Sequence, residues 1–306
     1  MQEEVKNSGI TWINIQNPDE KDVKFLRENF NICSSILQEY IPPIKRPKVE
    51  EYKDYLFVVI HFPVFIRKSR KTVSTELDAI LFKNVLITSY TGTLPELEKM
   101  FRKCTLDESY RNYYIKNSAV HLLYRILDKL INARLSMLDY IDDHINHIET
   151  EIFNGNEGKM VSEIATVKRD IISFRRIIKP QRMVLESLSR MTSKIIEDET
   201  LWRMSAEVIG SNMKVWNNLE NHKEMIEALE HTNESLLSYK LNDTMKILTA
   251  FSVVLLPLSL IANIFGMNVT DGMPFVDSPF GFWIVFILMV TTTLALMLFF
   301  EHKKWL

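Results

Sequence analysis

The sequence predicts an α+β domain, a small sheet with helices packed on it, followed by long helices and a two-helix membrane domain. Three observations carry this prediction. β-rich runs separated by short turn signals fill the first hundred or so residues, an apolar stripe at helical spacing runs from about Ser118, and two uncharged apolar stretches, Ile247–Phe265 and Phe280–Phe300, lie near the end of the chain.

In the first region, Ile10–Ile15 reads as a strand, and Asn17-Pro18-Asp19 opens an amphipathic helix to about Phe30 whose acidic first turn suits the helix dipole. A second helix is predicted near Ser34–Tyr40, ending at Pro42-Pro43. Lys48–Tyr52 and Tyr55–Phe65 are β-rich around the turn-forming Lys53-Asp54, and Ala79–Phe82 and Val85–Tyr90 flank Lys83-Asn84 in the same way. These pairs predict hairpins. Thr93-Leu94-Pro95 begins a short helix with Leu94, Leu97, Met100 and Phe101 on one face.

From Ser118, apolar residues recur at three- and four-residue steps from Leu122 to Ile152, as one long helix requires, and Asn154-Gly155-Asn156 breaks it. A second long helix returns from about Lys159 as an antiparallel partner, kinked at Pro180 because proline lacks the backbone donor. A third begins near Thr200. No proline occurs between Leu201 and Leu256, so one helix can run into the first apolar stretch. The expected organisation is residues 1–117 as the α/β domain, 118–199 as the helical pair, 200–268 as a stalk helix continuing into the first span (membrane part about 247–265), 269–279 as a loop, 280–300 as the second span and 301–306 as a basic tail.

Each stretch approaches the roughly 20 residues that cross about 30 Å of hydrocarbon as a helix. The intervening loop carries Asp271 and Asp277 and no Lys or Arg, whereas Lys240, Lys246, Lys303 and Lys304 flank the outer ends of the two spans, so both termini are expected in the cytoplasm and the loop outside. The N-terminus, polar and acidic, has no signal-peptide pattern. Cys33 and Cys104 form no metal-type pair and suit a reducing compartment. With 37 Lys+Arg against 39 Asp+Glu, scattered rather than striped, no nucleic-acid partner is expected. Neither a phosphate loop nor a nucleophile elbow occurs, and the chain is expected not to be an enzyme.

Polar residues inside lipid need protein or water around them, so their spacing is informative. Asn242, Met245, Thr249, Ser252, Leu256, Ser259, Asn263 and Gly266 alternate at steps of three and four, and the register continues upstream through Asn217, Asn221, Glu224, Ala228, His231, Ser235 and Ser238. Such a seam lines water when several copies surround it. It also fits a blander reading, in which Ser and Thr bond their own backbone and small residues aid packing. The second span is apolar apart from Thr291, Thr292 and Thr293, which places it on the lipid side. Two spans cannot enclose a channel alone, so rotational symmetry is implied.

At the end of the first span stands Gly266-Met267-Asn268, with Lys240–Thr249 at its entry into the membrane, Pro257–Ala262 within it and Lys303-Lys304-Trp305-Leu306 closing the chain. Together these resemble the CorA family of magnesium channels, and the domain order agrees over essentially the whole chain. The resemblance implies a funnel-shaped homopentamer in the cell (inner) membrane that takes up hydrated divalent cations, chiefly Mg²⁺ and also Co²⁺ or Ni²⁺. Membrane potential drives the uptake and cytoplasmic Mg²⁺ gates it. It makes Gly266, Met267 and Asn268 the selectivity filter. Asn242, Met245, Leu248, Thr249, Ser252, Leu256, Ser259 and Asn263 line the pore, of which Met245, Leu248 and Leu256 form a hydrophobic constriction, while Asp271 and Asp277 supply external charge. Glu207 resembles a family carboxylate on the stalk and Asp78 is paired with it as a regulatory Mg²⁺ site. The chain departs from the family at Phe265, Phe275, Asn263 and His231. A zinc or other transition-metal transporter on the same scaffold and a non-conducting two-span sensor are the alternatives. Asp142, Asp143, His144, His147 and Glu149 read as a solvated face before they read as a metal site.

Overall fold

A computed structural model describes residues 2–41, 46–66, 71–268, 272–275, 278–303 and 305. Strands β1 (Gln2–Asn7) and β2 (Ile10–Gln16) form a hairpin whose two-residue turn has positive φ at Ser8 (50°) and Gly9 (78°), the geometry that follows strand twist. Helices α1 (Glu20–Asn29) and α2 (Ser34–Glu39) follow, then β3 (Lys48–Glu51), β4 (Tyr55–Ile66), β5 (Lys71–Phe82) and β6 (Val85–Tyr90). The Asp19 carboxylate caps α1 by accepting from the Lys21 and Asp22 amides, and Asp22 returns the bond to the Asp19 amide.

The six strands make one sheet in the order β1-β2-β6-β5-β4-β3, antiparallel except where β2 pairs with β6. That parallel pair departs from a purely hairpin sheet. Its hydrophobic reason is visible on both faces. Ile13, Ile15, Tyr55, Phe57, Val59, Ile80 and Ile87 meet Leu26, Ile36, Leu37 and Tyr40 of the α1–α2 layer. On the opposite face, buried Trp12 donates to the Thr88 hydroxyl (2.9 Å) and packs edge-on against Phe101, 4.8 Å between ring centres. Phe101 belongs to α3 (Pro95–Leu106), which α4 (Glu108–Tyr114) follows. β1 and α4 were not foreseen, because an acidic edge strand and a tyrosine-rich short helix carry no apolar periodicity. Pro42-Pro43 lie outside the described residues.

The helical part contains α5 (Ala119–Asn132), α6 (Leu135–Phe153), α7 (Glu157–Ile178) and α8 (Gln181–Ile195). The expected single helix from Ser118 is therefore two. It breaks at Ala133-Arg134, where the Arg134 side chain turns into the interior, bonds Gln181 (3.0 Å) and lies over the Phe62 ring (4.2 Å). The kink expected at Pro180 is a full break, which separates α7 from α8. α6 and α7 pack through Leu138, Ile141, Ile145, Ile148 and Ile152 against Met160, Ile164, Val167 and Ile171.

Helix α9 runs without interruption from Glu199 to Phe265, and α10 from Gly281 to His302. The chain divides into two compact units, residues 1–230 and 231–306. In the first, α9 buries Leu201, Ser205, Val208, Asn212, Val215, Leu219, His222 and Ile226, alternating steps of four and three that define one face. Lys168 pairs with Glu230 and Arg175 with Glu220, tying α7 to this face. His222 stands 3.4 Å from the Asp142 carboxylate of α6.

Two buried histidines make this unit sensitive to acid. Burial pushes the pKa of His121 and of His222 below the usual 6.5, against the opposing pull of Asp198 and Asp142. A lowered histidine pKa means that the unfolded chain binds more protons, so this stability is complete above about pH 6.5 and is lost as the pH falls through the folded-state values. Thermal unfolding midpoints should be flat above pH 7 and decline below 6.5, and His222→Gln should flatten that decline. An unchanged profile in the variant would remove His222 from this role.

Candidate functional site

In the second unit the two apolar helices lie almost wholly uncovered. The most apolar 18-residue window of α9 is 6% buried and that of α10 0%. Water cannot accommodate such surfaces, with α10 about 33 Å long at 1.5 Å per residue, but a bilayer can. The two helices differ in what they carry. α10 presents apolar side chains around its circumference, and Thr291, Thr292 and Thr293 return their hydroxyl protons to carbonyls one turn back.

α9 is one-sided in its chemistry. From Asn217 to Gly266, all the seam positions named above are exposed. In the first unit they lie two residues from the buried positions Val215 and Leu219, about 200° around the helix, on the opposite face. Thr249 donates to Met245 O (2.7 Å) and Ser252 to Leu248 O (2.9 Å). The backbone-bonding reading therefore holds for these hydroxyls, and it does not compete with the other. Once its proton is committed to the backbone, each oxygen offers only lone pairs outward, which suits a cation or the protons of its hydration water. Leu248 is exposed but flanks the seam, whereas Met245 and Leu256 lie on it.

The end of α9 places the triplet. Gly266 donates to Ala262 O (2.9 Å) and Met267 to Ile264 O (3.3 Å), a tightening last turn after which Asn268 stands exposed beyond the helix. A Cβ on Gly266 would come within 3.0 Å of Ala262 O, so this close turn favours glycine. The partial negative charge of a helix C-terminus and the Asn268 amide oxygen are thus adjacent in sequence and position. Asp271 and Asp277 lie outside the described residues.

One contributor was missed by the sequence reading. Trp305, stacked on Phe300 at 5.7 Å between ring centres, joins Tyr239, Asn242, Met245, Lys246 and Thr249 around a cavity of about 310 Å³ at the start of the span. The signal was present as an interfacial aromatic, but its proximity to the seam is a tertiary fact. The two regulatory candidates are not brought together within a chain. Asp78 is buried on β5, on the α1–α2 face beside Tyr40, whose hydroxyl pKa is raised well above its usual range by burial and then by Asp78. Glu207 is exposed on α9 near Asp128, whose carboxyl pKa burial raises with Glu207 adding to it. Among the described residues no group of three or more His, Cys, Asp or Glu side chains is arranged to hold a metal, the Asp142–Glu149 cluster included.

An α+β unit followed by two lipid-compatible helices, one bearing a largely polar strip, has the organisation of a two-span membrane protein. The model of the CorA-like Mg²⁺ transporter protein family matches residues 7–304, and the chain belongs to that family. The cobalt/magnesium transport protein CorA of Thermotoga maritima is 29% identical over 98% of this chain and 84% of its own length. The structure of the CorA magnesium transporter from Methanocaldococcus jannaschii superposes with a TM-score of 0.86 at 21% identity, covering 99% of this chain and 93% of that one. The full-length CmaX protein superposes at 0.74 with 17% identity over 97% and 89%. The protein is thus a membrane transporter of divalent cations of the CorA family.

Proposed function

We propose that five copies surround a water-filled axis with the α9 strip and conduct hydrated Mg²⁺ into the cell. The observation that carries this is the uninterrupted exposure of the seam from Asn217 to Gly266. Mg²⁺ sheds its water reluctantly and favours octahedral oxygen coordination, so neutral amide and hydroxyl oxygens can hold the hydrated ion without stripping it. In this reading the Asn268 ring selects at the outer mouth and Asn242, Thr249, Ser252, Ser259 and Asn263 relay the ion. Met245, Leu248 and Leu256 close the passage by dewetting, and Asp271 and Asp277 attract cations outside.

Both termini and residues 1–230 lie in the cytoplasm, with the spans in the inner membrane. Two charges moving down 100 mV release about 4.6 kcal/mol, so no nucleotide site is needed. Co²⁺ follows the same path, as the name of the Thermotoga relative suggests. Cytoplasmic Mg²⁺ gates the assembly through exposed Glu207, which a neighbouring copy can reach. Buried Asp78 would act only if its surroundings open.

The test is ion uptake into proteoliposomes under an inside-negative potential. Mg²⁺ entry that Co²⁺ competes with and hexaamminecobalt(III) blocks is the expected result. Entry supported by Zn²⁺ alone would favour the transition-metal alternative, and absence of any flux would favour the sensor.

A further inference from the structure

The first unit contains a cavity of about 710 Å³ between the far end of the β4–β5 hairpin, the α5–α6 break and α7. Its wall is amphipathic: Phe62, Phe65, Met137, Tyr140 and Phe174 surround one cation, Arg134. Arg134 is 2% exposed, and burial pushes its pKa down to about 9, still charged at neutral pH.

The guanidinium is fixed on two sides. Nη1 donates to Gln181 Oε1 at 3.0 Å, and the guanidinium carbon lies over Phe62, 4.2 Å from the ring centre. Gln181 is itself held, donating to the His61 carbonyl. Nε and Nη2 have no hydrogen-bond partner, and no carboxylate among the described residues pairs with Arg134. Those two nitrogens form one edge of the guanidinium, with parallel N–H bonds spaced for the two oxygens of a carboxylate. A buried cation without a counter-charge is costly, and a bound anion would relieve that cost.

We propose that this cavity binds a small organic carboxylate on an aromatic or apolar body, its two oxygens on the Nε–Nη2 edge of Arg134. The remaining charges set the ligand's other end. Glu96, paired with Lys99 at 2.8 Å, and Asp170, whose carboxyl pKa burial raises, also line the cavity and would repel a second negative charge. The distal end is therefore neutral or a hydrogen-bond donor. The unpaired edge is closed to solvent in this structure, so binding displaces wall side chains, of which Met137 is the most adaptable. Occupancy joins the sheet to α5, α6 and α7, and so stiffens the unit that contains α9 as far as Glu230.

The experiment measures thermal unfolding and equilibrium dialysis of the full-length protein in detergent with benzoate, its uncharged counterpart benzamide, and inorganic phosphate. Benzoate is expected to bind one per chain and raise the midpoint, and benzamide to do neither. Arg134→Met, which replaces an uncompensated cation by a side chain of similar length, should fold at least as well and bind benzoate about tenfold or more weakly. Should that variant not fold, Tyr140→Ala keeps the cation and removes an aromatic wall, and its benzoate affinity should fall several-fold. No benzoate binding to the wild type, equal binding of benzamide, or unchanged affinity in the variants would overturn the assignment. Phosphate binding as tight as benzoate would overturn the organic body.

Discussion

Asn268→Ala should lower Mg²⁺ uptake into proteoliposomes by at least about tenfold while the protein still elutes as the wild-type assembly. The residue is exposed and lies beyond the last turn of α9, so the fold does not depend on its amide. Its contribution is to the ion. One amide contact is worth on the order of 1 kcal/mol, and a ring repeats that loss in every copy, whereas about 1.4 kcal/mol already changes a rate tenfold. Asn268→Gln, with the same group one methylene farther out, should retain part of the flux. Wild-type uptake by the alanine variant would take the amide ring out of the mechanism, and failure to assemble would show a structural role instead.

Gly281→Ala should destabilise the protein and reduce transport together. A Cβ at Gly281 would lie 2.2 Å from the Phe275 carbonyl oxygen and 3.3 Å from its carbon, contacts with backbone that no rotamer change relieves. The turn is already constrained, with φ of 81° at Gly272 and 71° at Phe275. Either the turn or the start of α10 must move, and the connection between the Gly-Met-Asn end of α9 and α10 moves with it. Gly210→Ala provides the contrast. Nothing lies within 4 Å of a Cβ there, in mid-helix, so that change should stabilise by about 0.5–1 kcal/mol. If unfolding midpoints place the two variants together, the packing argument at Gly281 fails.

Much of the candidate site was legible because it is encoded by spacing along one helix. Asn242 to Gly266 advance at alternating three- and four-residue steps, which keeps them within about a third of an α-helix's circumference, and the lack of proline from Leu201 to Leu256 allowed that helix to continue. Pro257 lies inside α9 without ending it, since a proline in a membrane span removes one backbone bond that local adjustment can absorb. Trp305 beside Asn242 was not legible, because it joins residues about sixty positions apart. Asp78 shows the converse problem. Its residue type suggested a surface ligand, but the hydrophobic strand around it carries it into the α1–α2 layer.

Residue order alone therefore determined the two spans, the polar face of the penultimate helix, the Gly-Met-Asn terminus and most strands and helices. Each follows from hydrophobic period, turn chemistry or the length needed to cross a bilayer, and these are properties of neighbours in sequence. Only the tertiary structure decided the parallel β2–β6 pairing, the break at Ala133-Arg134 and the cavity around that arginine. These depend on which distant surfaces exclude water from one another, here Phe62 and Gln181 meeting Arg134 from two separate elements.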